Sequence, residues 1–286
     1  MVYAVGTVKS SLKSISKRQN NYHYYSGCEK KLKNVIILAV EEKKSFICGG
    51  KMKKIAFTLA ETLIALVVIG VISAITIPTL QIQHQKEQTV VQLKKAFSDL
   101  SRAVSMAKTE YGDPISWDYS LNNNEFFNEY LYPFVQLSTQ TIQEAKDGGI
   151  TYKQLSGQVE NSLLIMRNQG RIVELMSGCQ IFTYPLAYST DGTTRRKCYA
   201  VDINGYRNPN KFGRDLFMFC LDGDKGTFVP HSWNDNEKPG QVKRTREQLK
   251  KGPSSFNYNC SKKARGMWCA ALIMADGWEI RDDYPW

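Results

Sequence analysis

The sequence predicts an α+β fold in which one long N-terminal helix packs on a small antiparallel sheet. Three observations carry this prediction. An uncharged apolar run long enough to span a bilayer begins at Thr62. A helical apolar stripe continues beyond it to about residue 110. From residue 171 onward, short strand-like segments alternate with turn residues.

The positive charge of the chain is concentrated ahead of the apolar run. The formal net charge is +11, and residues 1–56 hold 12 of the 38 Lys and Arg but only 3 of the 27 Asp and Glu. Basic residues before an apolar segment keep that end of a membrane helix in the cytoplasm. This distribution argues against a nucleic-acid-binding head, and the sequence carries none of the common catalytic motifs that would indicate an enzyme.

Residues 1–56 are predicted to be a leader that is absent from the working protein. Residues 1–51 show no sustained periodicity, and their apolar segment 35–40 is too short to span a bilayer. Residues 52–56, Met-Lys-Lys-Ile-Ala, resemble by themselves a complete short leader of the prepilin type. Translation is therefore expected to start at Met52, and the alternative is a genuinely long cytoplasmic leader.

The run from Thr62 to Leu80 contains no charge, but Glu61 stands at its start. A carboxylate near a bilayer is unfavourable unless a cation faces it. An ordinary secretory signal would place its small-residue cleavage site after the apolar run. A plain membrane anchor explains the run and the lysines but gives Glu61 no role.

The stretch Ala56-Phe57-Thr58-Leu59-Ala60-Glu61, between two lysines and the apolar run, resembles the class III signal of type IV prepilins and type II secretion pseudopilins. Ala56 stands where that family usually has glycine. The resemblance implies cleavage between Ala56 and Phe57 by a prepilin peptidase/methyltransferase and N-methylation of Phe57. It also implies that Glu61 faces the N-terminal amine of a neighbouring subunit, a charge pair that would set the axial register of a filament.

The resemblance implies a structural subunit of a type IV pilus-like or type II secretion pseudopilus filament, with no catalytic activity. Its partners would be copies of itself or other pilins, bound through the N-terminal helices. Its location would be the bacterial inner membrane, crossed once with the N-terminus inside and the head outside, and then a periplasmic or cell-surface filament. The alternative is a monomeric, membrane-anchored binding protein outside the cytoplasm.

One helix is predicted over residues 57–112, with its membrane span at about 62–80. Pro78 removes one backbone hydrogen bond and should kink or loosen the helix there, and a proline at this place is also part of the resemblance. Apolar residues spaced by three and four then mark one helix face. They are Val90, Leu93, Phe97, Leu100, Val104 and Ala107. The globular head, residues 113–286, is expected to cover that face.

The head is predicted to begin with a short helix that is capped within residues 122–124 and stops near Pro133. The polar stretch 138–170 is interpreted as loops with one or two short helices, and the basic run 243–251 as a solvated loop. The remaining elements are predicted strands at 171–175, 180–184, 198–203 and 215–221, and a buried helix or strand at 268–275.

The loop between the last two predicted strands carries oxygen-bearing side chains. Asp202, Asn204 and Asp215, with backbone carbonyls between them, are candidate ligands for a hard cation such as calcium. The resemblance points the same way, because major pseudopilins hold calcium in a similar inter-strand loop. The alternative is a hairpin turn without metal, since Gly, Asn and Pro favour such turns for backbone reasons alone.

Seven cysteines and three histidines show no spacing typical of a zinc site. If the last two predicted strands form a hairpin centred on Pro209, Cys198 and Cys220 face each other, because each lies eleven residues from it. A disulfide between them is then predicted in an oxidising compartment. Cys260 and Cys269 are the second candidate pair, which leaves Cys179 free.

Overall fold

The computed structural model describes residues 58–138, 151–161, 172–183, 194–205, 207–233, 243–254 and 256–286. The predicted leader, with Ala56 and Phe57, lies outside these ranges, as does most of the stretch predicted as loops at 138–170. The chain divides into two compact units, residues 1–67 and 68–286. The fold is α+β, as the sequence predicts.

The long helix, α1, spans Leu59–Tyr111 and continues through Pro78. It is long and apolar enough to cross a membrane, and none of its most apolar stretch is buried by the residues that the structure describes. Farther along, one face is buried, which confirms the predicted stripe. The buried residues are Thr89, Val90, Leu93, Ala96, Leu100, Ala103, Val104 and Ala107. Phe97 lies beside them, with its ring centroid 5.5 Å from those of Phe219 and Trp278.

After α1 the chain makes a 3₁₀ turn, Pro114–Ser116, and a short helix, α2, Asn123–Phe126. Asn122 caps α2 as predicted, because its side chain accepts hydrogen bonds from the second and third helical amides while Glu125 bonds back. A π turn, Phe127–Leu131, and a 3₁₀ turn, Tyr132–Phe134, follow and end at the predicted place.

A five-stranded antiparallel sheet forms the rest of the core, with its strands in chain order. The strands are β1 (Ile172–Glu174), β2 (Gln180–Phe182), β3 (Arg196–Asp202), β4 (Leu216–Asp222) and β5 (Thr227–Pro230). Every residue of β3 and β4 is buried. The strand β5 was not predicted, because its four residues end in proline and follow β4 after only a tight turn.

The β3–β4 hairpin has the predicted register, with Cys198 directly opposite Cys220. The structure joins these two residues in one disulfide, and Cys260 and Cys269 in a second. Cys179 is a buried free thiol, and burial raises its pKa far above the ordinary value. Its thiolate is therefore disfavoured, and we expect it to be unreactive in the folded protein.

Two helices lie between β5 and the last described residue. The prediction of a solvated loop over 243–251 is wrong for most of that run, since α3 spans Arg246–Lys251 and begins at a capping box formed by Thr245 and Gln248. The segment predicted as helix or strand is helical, with α4 at Cys269–Ala275. All residues of α4 but its last two are buried.

The residues after α4 are held against the head by ion pairs and aromatic contacts. Arg246 of α3 binds the carboxylates of Asp276 and Asp283, with its closest N–O distance 2.6 Å in each pair. Tyr284 donates a hydrogen bond of 2.6 Å to the carbonyl of Gly213. The ring of Trp286 lies 4.2 Å from the guanidinium of Arg214. The C-terminal segment thus covers the β3–β4 loop.

We predict that Gly213→Ala destabilises the head more than Gly112→Ala does. Both glycines have φ = +76°, so an added side chain costs about 1–2 kcal/mol of backbone strain at either position. At Gly213 a Cβ would also lie 2.8 Å from Cys269 Sγ, whereas at Gly112 nothing lies within 4 Å. Overpacking of this kind costs about 1–3 kcal/mol more. Equal losses of unfolding free energy in denaturant titrations would contradict the close packing at Gly213.

Candidate functional site

The first of two candidate sites is the start of α1. The backbone amide and the hydroxyl of Thr58 both donate to one carboxylate oxygen of Glu61, at 2.9 and 3.0 Å. The amide of Glu61 donates back to the Thr58 hydroxyl at 3.2 Å. This is a capping box, in which Thr58 is the N-cap and Glu61 the third helical residue.

The capping box gives Glu61 a local role that the sequence did not reveal. Glutamine performs the same capping, because it too offers an acceptor oxygen at that position. A helix cap therefore accounts for an oxygen at position 61 but not for its charge. The charge is what a cationic partner would recognise, and the two roles can be separated experimentally.

The second candidate site lies in the β3–β4 loop, where the structure brings together all three residues predicted as cation ligands. Asp202 ends β3, and Asp215 immediately precedes β4. Both are buried. Asn204 lies between them, with its backbone amide 3.1 Å from an Asp202 oxygen.

Asp215 has a structural role in this loop. One of its oxygens accepts a hydrogen bond of 2.7 Å from the amide of Asn210, and the other accepts one of 2.6 Å from the amide of Lys211. These bonds hold the tight turn that brings the chain back into β4. Replacing Asp215 should therefore disturb the loop with or without a metal, and Asp202 is the better probe of cation binding.

The side-chain amide of Asn204 faces three oxygens, so its NH₂ group and not its oxygen lies towards them. The nitrogen lies 2.9 Å from an Asp202 oxygen and 3.2 Å from each of the carbonyl oxygens of Gly205 and Arg207. Its two hydrogens are shared among these three acceptors. The Asn204 side chain therefore donates hydrogen bonds within the loop, and its oxygen points away from Asp202.

Two further oxygens at this place were not identifiable from the sequence. The second carboxylate oxygen of Asp202 and the side-chain oxygen of Asn210 are buried and form no hydrogen bond with any described residue. A buried acceptor without a donor is unfavourable, and such groups commonly bind an unseen water or ion. The spacing of Asp, Asn and Gly residues predicted a candidate cation site in this loop. It could not predict that Asn210 is buried there, because that burial depends on the path of the folded backbone.

The electrostatics of the loop favour neutralisation by a cation or a proton. Burial raises the pKa of Asp202 well above its ordinary value, and the neighbouring Asp215 carboxylate raises it further. Burial also raises the pKa of Asp215, although the amide hydrogen bonds of Lys211 and Asn210 oppose this shift. Carboxylate, amide and backbone oxygens are the ligands that calcium prefers in proteins. The residues present therefore fit a calcium ion.

A third group brings one histidine to the disulfide. The ligand atoms of Cys198, Cys220 and His231 lie within 4.8 Å of one another, in a fully buried position. Both sulfurs are already joined to each other, so they are not available as thiolate ligands. Burial, together with Arg196, Arg244 and Arg265, lowers the pKa of His231 to about 3, which keeps the imidazole neutral. The sequence spacing did not predict the contact between His231 and the disulfide, because this contact depends on the pairing of β5 with β4.

Residues 79–286 match a family described as a family of unknown function (DUF6613). The match begins just after Pro78 and covers the buried half of α1 and the whole head. No curated protein and no solved structure matches the chain.

We predict that calcium raises the melting temperature of the protein and that Asp202→Asn abolishes most of this increase. A cation that binds only the folded state at about 100 times its Kd stabilises it by about 2.7 kcal/mol. Asn keeps the shape of Asp202 but removes its charge. The matched control is Asp224→Asn, which removes one carboxylate from the exposed β4–β5 turn. Thermal unfolding followed by circular dichroism, with calcium and with chelator, measures the melting temperature of each variant.

The size of this calcium effect should depend on pH. Because the folded state raises the pKa of Asp202, the metal-free folded protein binds more protons than the unfolded chain, and its stability falls as pH rises above the ordinary carboxyl pKa. Calcium binds the ionised form and opposes that loss. The calcium-dependent increase should therefore be larger at about pH 8 than at about pH 5. Identical melting with calcium and chelator at both pH values would favour the hydrogen-bonded turn without metal.

Proposed function

We propose that this chain, which belongs to the family of unknown function described above, is a structural subunit of a type IV pilus-like or type II secretion pseudopilus filament. In this proposal the leader is removed before Phe57 by a prepilin peptidase/methyltransferase, and the new N-terminus is methylated. The subunit first resides in the inner membrane with its head outside the cytoplasm, and then joins a filament through α1. It catalyses no reaction.

The observation that carries the proposal is that the two halves of α1 differ in polarity and in burial. The first half is a helix of membrane length whose apolar run has no charge and is left uncovered by the other described residues. The second half buries one face in the head. An apolar helix with no cover of its own needs either lipid or neighbouring helices around it. In the membrane, lipid would surround this half of α1. In a filament, the helices of neighbouring subunits would surround it.

Glu61 supports assembly rather than simple anchoring. A plain anchor gains nothing from a charged residue at the edge of its apolar run, because the carboxylate is disfavoured near hydrocarbon. In a bundle, the N-terminal ammonium of an adjacent subunit would neutralise it. Its local bonds to Thr58 orient the carboxylate at the helix start without using its charge.

An open groove gives some support to the alternative, a monomeric membrane-anchored binding protein. The groove has a volume of about 480 Å³ and lies between α1 and the turn that joins β1 to β2. It is lined by Lys95, Asp99, Gln136, Leu175, Met176 and Ser177. Four of the six lining residues are polar or charged. Cleavage before Phe57 separates the two functions, because a simple anchor keeps its leader.

We predict that the mature protein in the membrane fraction begins at N-methylated Phe57. The reason is the basic leader that ends at Ala56, directly before an aromatic residue and Glu61. Mass spectrometry of the N-terminal peptide measures the cleavage site and the methyl group together. Ala56→Leu should block cleavage, since a bulky residue replaces the small one at the cut. An unprocessed chain, or a terminus after Ser73 or Ala74, would contradict the filament proposal.

We predict that Glu61→Gln inserts into the membrane and is cleaved but fails to join filaments. Glutamine preserves the capping box and removes the charge that an adjacent ammonium would meet. Thr58→Ala is the matched control, since it loses about 0.5–2 kcal/mol of capping but keeps the charge. Quantitative immunoblots of sheared filaments compare the two. Normal incorporation of Glu61→Gln, or equal loss in both variants, would leave Glu61 with the capping role alone.

A further inference from the structure

We propose that the membrane-proximal end of the head, a basic surface formed by Lys153, Arg207 and Lys211, binds the anionic phospholipid headgroups of the membrane that α1 enters. This inference rests on the proposed membrane insertion of α1. It does not depend on filament assembly or on the proposed calcium site.

The position of these residues along α1 comes from direct contacts. Thr89, one of the first buried residues of α1, donates a hydrogen bond of 3.4 Å to the carbonyl of Arg214 in the β3–β4 loop. Lys153 is held beside the same loop, because its amide donates to the carbonyl of Asn210 at 2.8 Å. The end of the head that lies nearest the apolar run is therefore formed by the β3–β4 loop, the segment around Lys153, and Asp282, which lies 4.0 Å from Lys86.

Helix geometry gives the distance of this end from the bilayer. Thr89 lies nine residues beyond Leu80, which is about 13 Å along the helix axis. The polar headgroup layer extends roughly 5–8 Å beyond the hydrocarbon core on each side. A lysine or arginine side chain next to Thr89 therefore lies within about one Debye length, roughly 8–10 Å, of the headgroup phosphates.

Three cationic side chains at this end lack an ionic partner in the part of the chain that the structure describes. Lys153, Arg207 and Lys211 form no ion pair with any described residue. Lys153 and Lys211 are paired in an isolated β-bridge, so two like charges lie on neighbouring segments and repel each other. An external anion would relieve that repulsion.

The opposite end of the head has the reverse arrangement. Lys108 binds Asp113, Arg195 binds Asp224, and Lys225 lies 3.8 Å from Asp222. The turn at Gly226 lies against Lys108, which is about 28 Å along α1 from Thr89. The cations at this distal end are thus paired with carboxylates. At the other end Lys86 lies 4.0 Å from Asp282, but Lys153, Arg207 and Lys211 have no ionic partner among the described residues. This contrast favours a membrane surface over a general attraction to anions.

The test uses the full chain reconstituted in nanodiscs of phosphatidylcholine alone or with phosphatidylglycerol, with chelator present so that no divalent cation bridges the head to the lipid. Amide hydrogen exchange is followed in the peptides that cover residues 207–217 and 151–156. At low ionic strength, exchange should be slower on the anionic discs, and high salt should remove the difference. Slow amide exchange in β3 and β4 shows in the same experiment that each variant is folded.

The test variant is Lys153→Gln/Lys211→Gln, and the matched control is Lys108→Gln/Lys225→Gln, with the same change of charge at the distal end. Each lysine removed near the surface should weaken the preference for anionic lipid about fivefold. The control should keep the full effect of the lipid. Equal exchange on both lipids, or equal loss of the effect in both variants, would overturn the inference.

The outcomes also separate this inference from the proposed function. A chain that fails to enter nanodiscs would overturn membrane insertion and this inference together. An inserted chain whose exchange is independent of lipid would overturn only the headgroup contact. Protection that appears solely in assembled filaments would likewise overturn it and would assign the basic surface to a neighbouring subunit.

Discussion

The burial of one face of α1 beneath the sheet is the contact on which the head depends. Four of the buried positions, Leu93, Leu100, Ala103 and Ala107, are fully inaccessible, and Phe97 extends the same face to Phe219 of β4. A fully buried leucine contributes about 1.5–3 kcal/mol, so a few such residues account for much of the net stability of a domain this size. Among the described residues, the head buries α1 from Thr89 onward and leaves the apolar run before it exposed.

Much of this architecture follows from periodicity, and the rest depends on long-range pairing. The stripe of α1 and the β3–β4 register were predictable because a helix repeats every three to four residues and a hairpin is symmetric about its turn. The strand β5 and the helix α3 were missed. A four-residue strand carries too little alternation to recognise, and the charges of α3 obscured its capping box at Thr245.

The candidate sites show the same limit. Asp202, Asn204 and Asp215 were identified as a group because their oxygen chemistry is visible in the sequence. The buried oxygen of Asn210 and the carbonyls of Gly205 and Arg207 were not, since only the folded loop turns them inward. The acidic turn from Asp222 to Asp224 differs from this loop, because Asp222 and Asp224 lie beside Lys225 and Arg195 of the same protein.

The contacts that close the head join segments that are far apart in the chain. Thr89 bonds to Arg214 across 125 residues, Arg265 pairs with Glu160 across 105, and Tyr284 reaches Gly213 across 71. Folds dominated by such distant contacts form slowly, because much chain entropy must be lost before the contacts are gained. The β3–β4 loop is covered only after residues 276–286 have docked on the head. The ion pairs of Arg246 and the contacts of Tyr284 and Trp286 thus complete the head from residues far along the chain, and loss of residues 276–286 would leave the β3–β4 loop uncovered.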